Sequence, residues 1–152
     1  QINTGGGLAA AEAYAWHRTL LEEHGDQYDP RVSMRILKGR DVNANEVRAA
    51  RAAVIEAVDR TTCEFDALVM PTVPLIPPPL SAFEKDAEYI RLNALVLRNP
   101  SLATFLDRCS IPLPIHRQGE APVGLMLIGG RDEDQRLLSV AAAAESGLVH
   151  RA

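Results

Sequence analysis

Lysine is nearly missing from this chain. Of its 16 basic residues only Lys38 and Lys85 are lysines, and the arginines are scattered without forming a basic cluster. With a formal charge of -4, nothing in the electrostatics calls for nucleic acid or an anionic membrane as a partner. Cysteine is equally scarce. Cys63 and Cys109 stand in neither a CxxC nor a Cys/His spacing, and they read as buried reduced thiols rather than a disulfide or a metal pair. No His/Cys/Asp cluster has ligand spacing, which argues against a metal site. Long apolar runs are absent as well, because Pro, Gly or a charge interrupts each one short of a membrane span. The opening Gln1-Ile2-Asn3-Thr4-Gly5-Gly6-Gly7 has no basic or apolar leader region, so no secretory signal is read there. It also lacks an initiator Met, and it reads as beginning mid-protein. There is no internal repeat and no low-complexity linker.

What is present suits one globular domain with a real core: 152 residues, 47% hydrophobic and 24% charged. Leu8 to His24 is expected to be a helix with Ala9, Ala13, Trp16 and Leu20 on one face, closed by Gly25. Asp29-Pro30 offers a cap and a first-turn proline for a short helix to Lys38. Asn43 and Glu46 resemble a capping box that opens a third helix carrying Val47, Ala50, Val54 and Val58. The pattern then changes. Ala67-Leu68-Val69-Met70 reads as a strand buried on both faces, and it ends at Pro71.

Five of the ten prolines fall between Pro71 and Pro79, which predicts an extended loop there. Ser81 with Glu84 suggests a cap for a helix over Ala87 to Leu97, broken at Asn99-Pro100, with a short helix near Ser101 to Arg108. Ser110–Ile115 and Val123–Ile128 look like paired interior strands. A last helix, capped by Asp132 and Gln135, is expected to close at Gly147. The expected class is α/β, with strands of a mixed sheet covered by helices. Residues 1–64 are mainly helical, and residues 65–152 are strand-rich with a proline loop and a C-terminal helix.

Three stretches carry more than secondary structure. In Asp66-Ala67-Leu68-Val69-Met70-Pro71-Thr72-Val73-Pro74, the prolines end strand pairing and stiffen the exit of a buried strand. Ligand crevices of open α/β sheets lie outside strand ends, so such a loop is a candidate pocket wall. Phe105-Leu106-Asp107-Arg108-Cys109-Ser110-Ile111-Pro112-Leu113-Pro114 forms the second stretch. In the third, Ala121-Pro122-Val123-Gly124-Leu125-Met126-Leu127-Ile128-Gly129, the glycines permit close backbone approach and a tight exit.

Taken in order, these stretches resemble the C-terminal half of the amidase-signature family: its Pro-Thr-x-Pro exit, its Leu-Asp-x-Cys segment, and its Pro-x-Gly-x-x-x-x-Gly strand. The resemblance spans roughly the whole chain, although the first third matches only in helical character, in Asp29-Pro30 and in Arg35-Ile36. Two departures stand out: His116 replaces a frequent Gly, and Asp107 stands where a small residue is common.

The resemblance implies amide hydrolysis by a nucleophilic Ser activated through a second Ser and a Lys, with no cofactor or metal. An alcohol needs a positioned base before it attacks, and the oxyanion needs converging backbone donors such as a Gly-rich loop supplies. Neither is found here. Ser33, Ser81, Ser101, Ser110, Ser139 and Ser146 are never adjacent and never in a Gly-rich loop, and only Lys38 and Lys85 are available. In the family these catalytic residues lie in the preceding half. No catalytic residue is therefore assigned, and a site built from Cys109 and His116 lacks any local nucleophile signature.

What the resemblance leaves to this chain is pocket wall. Thr72 on the proline loop and Arg98-Asn99 before the Leu-Asp-x-Cys segment are the candidate substrate-binding residues. Arg98 either forks onto a substrate carboxylate or is a surface arginine beside a helix end. The expected protein is the C-terminal, pocket-side part of a cytoplasmic amidase acting on a small linear amide, inactive alone. The competing readings are a non-catalytic binding or assembly module and an amidotransferase-subunit-like scaffold. Strands cut from a larger sheet would leave bare edges, so a homodimer or strand pairing between copies is also expected.

Overall fold

The computed structural model describes residues 6–149, and the chain divides into two compact units, residues 1–56 and 57–152. Within the first unit, α1 (Gly7–His24) begins after Gly6, which takes the left-handed conformation. Along α1 Gly7 is buried and Leu8, Ala10, Ala11, Ala13, Tyr14, His17 and Leu21 are half-buried, while Trp16 is 75% exposed and Leu20 and Ala9 lie outside. The inner stripe is thus rotated from the expected one. Its cause is Gly39, in the short 3-10 turn Lys38–Asp41 that follows α2 (Pro30–Leu37). A Cβ on Gly39 would collide with the Ala10 carbonyl group. Two backbones therefore touch at Ala10, and the small residues of α1 must face that way.

The caps of this unit form as the side chains dictate. Asp29 Oδ1 accepts from Arg31 N–H (2.7 Å), with Pro30 in the first turn of α2. Asn43 Oδ1 accepts from Asn45 N–H and Glu46 N–H, while its amide donates to Glu46 Oε1 (2.7 Å), starting α3 (Ala44–Thr62). Val47, Ala50, Val54 and Val58 are the half-buried face of α3, as their spacing requires.

The second unit is built on a three-stranded sheet in the order β1–β3–β2, formed by β1 (Leu68–Pro71), β2 (Ser110–Pro114) and β3 (Gly124–Ile128). All its pairings are antiparallel, with Leu68 opposite Ile128 and Ser110 opposite Ile128. Side-chain alternation gives the sheet two buried faces. Met126 and Ile128, together with Leu68 and Met70, pack on Ala103 and Leu102 of α5 (Pro100–Leu106). Leu113 and Leu127 pack on Leu137 and Ala141 of α6 (Asp134–Val149). Ile128 is fully buried, a contribution of about 1.5–3 kcal/mol for a side chain of its size. The result is an α/β layering with helices on both sheet faces. Among the described residues no helix is long and apolar enough to cross a membrane.

Only β3 is an interior strand. β1 alternates in burial, and its Val69 is 58% exposed; β2 lies at the opposite edge. The hydrogen bonds show how the edges are finished. Thr72 N–H donates to Gly124 O (2.8 Å), Gly129 N–H to Cys109 O (3.0 Å) and Ile115 N–H to Val123 O (3.0 Å). Given the antiparallel alternation, these bonds turn the outward-facing backbone groups to Val69 and Pro71 on β1, and to Ser110, Pro112 and Pro114 on β2. Three of the five outward positions are prolines. This is the placement in which a strand proline sacrifices no ladder bond.

Other expectations are corrected. Ser81 does not cap a helix: residues Leu80–Phe83 form a 3-10 turn, and α4 (Asp86–Arg98) starts after Lys85 without a side-chain cap. Asp132 is left-handed (φ 59°) and precedes α6 rather than capping it, and the helix runs through Gly147 to Val149. Gly147 is an exposed helical position with no neighbour its missing Cβ would meet. Cys63 is exposed and only Cys109 is half-buried, and both are free thiols.

Candidate functional site

The exit of β1 gathers the three residues singled out as pocket wall. Asn99 sits at the joint where α4 passes into α5, since Pro100 cannot continue the α4 ladder. Its side-chain amide donates to the Pro71 carbonyl (2.8 Å). That carbonyl is the outward-facing acceptor at the end of the edge strand, so Asn99 fills the place of a missing neighbouring strand. Arg98 Nε in turn donates to Asn99 Oδ1 (3.3 Å). Arg98 is exposed, and its two terminal nitrogens make no hydrogen bond among the described residues.

Thr72 follows Pro71 directly. Its amide is held by Gly124 O (2.8 Å), while its hydroxyl is buried with no hydrogen-bond partner. Gly124 makes room for that hydroxyl, because a Cβ there would lie 2.6 Å from Thr72 Oγ1. Thr72, Asn99 and Arg98 thus form a connected run along one strand end. Sequence reasoning read Gly124 as a place of close approach within a strand, and the group that approaches is the Thr72 side chain.

The opposite end of the sheet holds a separate cleft of about 270 Å³, lined among others by Asp59, Thr62, Asp66, Arg108, Gly130 and Arg136. It is laced by ion pairs. Arg108, whose side chain is 8% exposed, donates to Asp59 Oδ1 and Thr62 Oγ1, each at 2.7 Å. Arg136 pairs with Asp66 (2.7 Å) and Glu133 (3.3 Å). The hydrogen bond that Arg136 donates to Asp66, and then the charge of Glu133, hold its guanidinium above its ordinary pKa. Each cation there already has a carboxylate, so the cleft reads as a structural clasp. The first unit carries an apolar groove of about 460 Å³ lined by Ala9, Ala13, Val32 and Ile36, with Arg35 and Lys38 beside it. Thr72, Arg98 and Asn99 line neither space.

The alternative nucleophile sets are not assembled. Cys109 Sγ donates to Gly130 O (3.1 Å) at one end of β2, and His116 lies beyond the other end, its Nδ1 against Val123 N (3.3 Å). Seven residues of extended chain separate them by roughly 20 Å. Ser33, Ser139 and Ser146 each return their hydroxyl to a carbonyl of their own helix. Ser81, Ser101 and Ser110 are exposed, as are Lys38 and Lys85. His17 is engaged by Tyr28 Oη at 2.8 Å.

Comparison with known proteins gives the family. The model of the Amidase family matches residues 4–138. The chain belongs to the Amidase family. It is 29% identical over 146 residues to a 2-amino-5-chloromuconic acid deaminase of Comamonas testosteroni, covering 93% of this chain and 31% of that protein. It is 27% identical over 153 residues to a glutamyl-tRNA(Gln) amidotransferase subunit of Halobacterium salinarum, covering 95% and 34%.

Among solved structures, an amidase superposes with a TM-score of 0.71 at 26% identity, over 90% of this chain and 33% of that one. A Kluyveromyces lactis allophanate hydrolase shares the fold with a TM-score of 0.75 at 24% identity, over 89% and 22%. The chain therefore has the amidase-signature fold over nearly its whole length and spans about a third of the amidase-family relatives it matches. The left-handed backbone of Asp107 (φ 58°, ψ 41°) explains why a small residue is common there. Glycine adopts that conformation without strain, and Asp is among the few others that tolerate it.

Proposed function

We propose that this chain supplies the C-terminal, substrate-pocket side of an amidase that cleaves the C–N bond of a small linear amide in the cytoplasm. The attacking serine, its serine partner and the lysine base belong, in this reading, to polypeptide outside these residues. The observation that carries the proposal is the pairing of two facts. The family match covers residues 4–138, yet the serines and lysines of this part are exposed or bonded within their own helices. Thr72, Arg98 and Asn99 are proposed as its contribution to the pocket, at the proline-stiffened exit of β1 where Asn99 ties down the strand end. No metal or cofactor enters the scheme.

The test is direct. The purified 152-residue chain should release no ammonia from simple amides. Joined to, or mixed with, polypeptide that carries a Lys and a Gly/Ser-rich loop of the family type, it should turn them over. Stoichiometric amide hydrolysis by the chain alone would overturn the proposal.

A second reading, that the chain is part of an amidotransferase subunit, is supported by the relatives bearing that name in Halobacterium salinarum and Sulfurisphaera tokodaii. Transfer of the released ammonia to an acceptor, rather than its loss to water, would separate the two. Self-association of the isolated chain is also proposed, on the exposed apolar side chains Phe65 (65%), Val69 (58%), Ile76 (64%) and Leu80 (88%).

A further inference from the structure

From the run of bonds at the exit of β1, we infer that Asn99 is a positioning residue rather than a substrate contact, and that it aims the Arg98 fork at an amide bearing a carboxylate. The inference rests on the reading of this strand end as pocket wall. Asn99 spends one donor on Pro71 O (2.8 Å) and one acceptor on Arg98 Nε (3.3 Å). Its amide plane is thereby fixed at both ends, and the strand terminus sets where the guanidinium begins. A guanidinium held through Nε still presents its two Nη groups, the planar pair that matches both oxygens of a carboxylate. In Arg98 these groups make no hydrogen bond among the described residues.

Three other arginines of the second unit differ. Arg108 and Arg136 are already paired with Asp59 and Asp66, and Arg91 is tied to Glu88 through both Nε and Nη2. Of these four, Arg98 alone is held by a neutral amide, which orients the cation without neutralising it. The substrate class that fits is an amide carrying a carboxylate elsewhere on a short chain, with succinamate as the probe and neutral succinamide as its control.

Two measurements test this. In the 152-residue chain, the Arg98 Nε–Hε resonance should shift with succinamate and not with succinamide, and Asn99→Ala should abolish that selectivity. Asn99→Asp is nearly isosteric and guards against a folding artefact. It should abolish selectivity too, because it loses the donor to Pro71 O and neutralises the guanidinium.

In the amidase that contains the chain, Asn99→Ala and Arg98→Ala should each raise KM for succinamate roughly tenfold with kcat retained. KM for succinamide should hold, and the double variant should be no worse than either single one. Selectivity lost in Arg98→Ala but kept in Asn99→Ala would overturn the positioning role, as would equal effects on both substrates or a loss of thermal stability alone. Should no amide be hydrolysed by the wild-type enzyme, the proposed function falls. The resonance titration of the isolated chain then decides the role of Asn99 by itself.

Discussion

Gly124 and Thr72 are fitted to each other: the bare Cα of the one leaves room for the buried hydroxyl of the other, which a Cβ there would approach to 2.6 Å. They form a hydrogen-bonded strand pair through Thr72 N–H and Gly124 O, so neither can move aside without breaking the ladder. Gly124→Ala is expected to cost about 1–3 kcal/mol through overpacking. Thr72→Ala removes a buried hydroxyl that has no partner, and is expected to be close to neutral. The double variant should recover most of the loss. Urea unfolding of the four proteins closes the cycle, and additive losses would refute the fit.

Arg108 is the other residue whose burial demands its partners. Its 8% exposed side chain reaches back to Asp59 and Thr62 at the end of α3, while its Nε is buried without a bond. Arg108→Met should cost about 2–3 kcal/mol, the scale of lost hydrogen bonds to a charged group. Arg91→Ala, which removes an exposed pair with Glu88, should change stability by less than about 0.5 kcal/mol. Comparable losses in the two would mean that burial is not what distinguishes them.

How far the sequence could be read depended on whether the cause of a feature was local. The caps at Asp29 and Asn43 and the breaks at Pro71 and Pro100 lie within a few residues of what they cause, and they appear where expected. The inner face of α1 differs from its expected stripe because its determinant, Gly39, is far along the chain and acts by backbone approach to Ala10. Apolar runs at β1 and β2 suggested full burial, but a strand's neighbours are a tertiary fact, and both proved to be edges. Asp132 and Gly147 suggest helix limits by residue type alone. The chain passes Asp132 in a left-handed turn before α6 begins, and Gly147 is simply absorbed by the helix. At the candidate site Thr72, Arg98 and Asn99 were legible as polar residues beside proline breaks. The bond that joins them, from Asn99 to Pro71 across 28 positions, was not.

The contact between Gly39 and Ala10 gives a prediction confined to the first unit. A Cβ at Gly39 would overlap both the carbonyl oxygen and the carbonyl carbon of Ala10. Both are backbone atoms, so rotamer changes give no relief. Gly39→Ala should cost about 3 kcal/mol or more, at the upper end of overpacking penalties. Amide exchange should show the loss in α1 and α2, with β3 still protected. Full retention of protection at Ala10 would show that the turn relaxes freely.

The edge prolines make the last prediction. Pro112 and Pro114 occupy outward positions of β2, leaving Ser110 as the only outward N–H of that strand. A second copy offered this edge finds acceptors but almost no donors, so extended pairing is blocked although the edge is open. Pro71 does the same on β1, and its carbonyl is already taken by Asn99. Self-association of the native chain should therefore run through side chains rather than strands. Pro112→Thr with Pro114→Thr restores two outward donors and should convert limited association into larger species that add copies edge to edge. Light scattering across a tenfold concentration range should show the mass of the variant climbing while that of the parent levels off. An unchanged profile would mean that the prolines guard nothing and serve only to shape the strand.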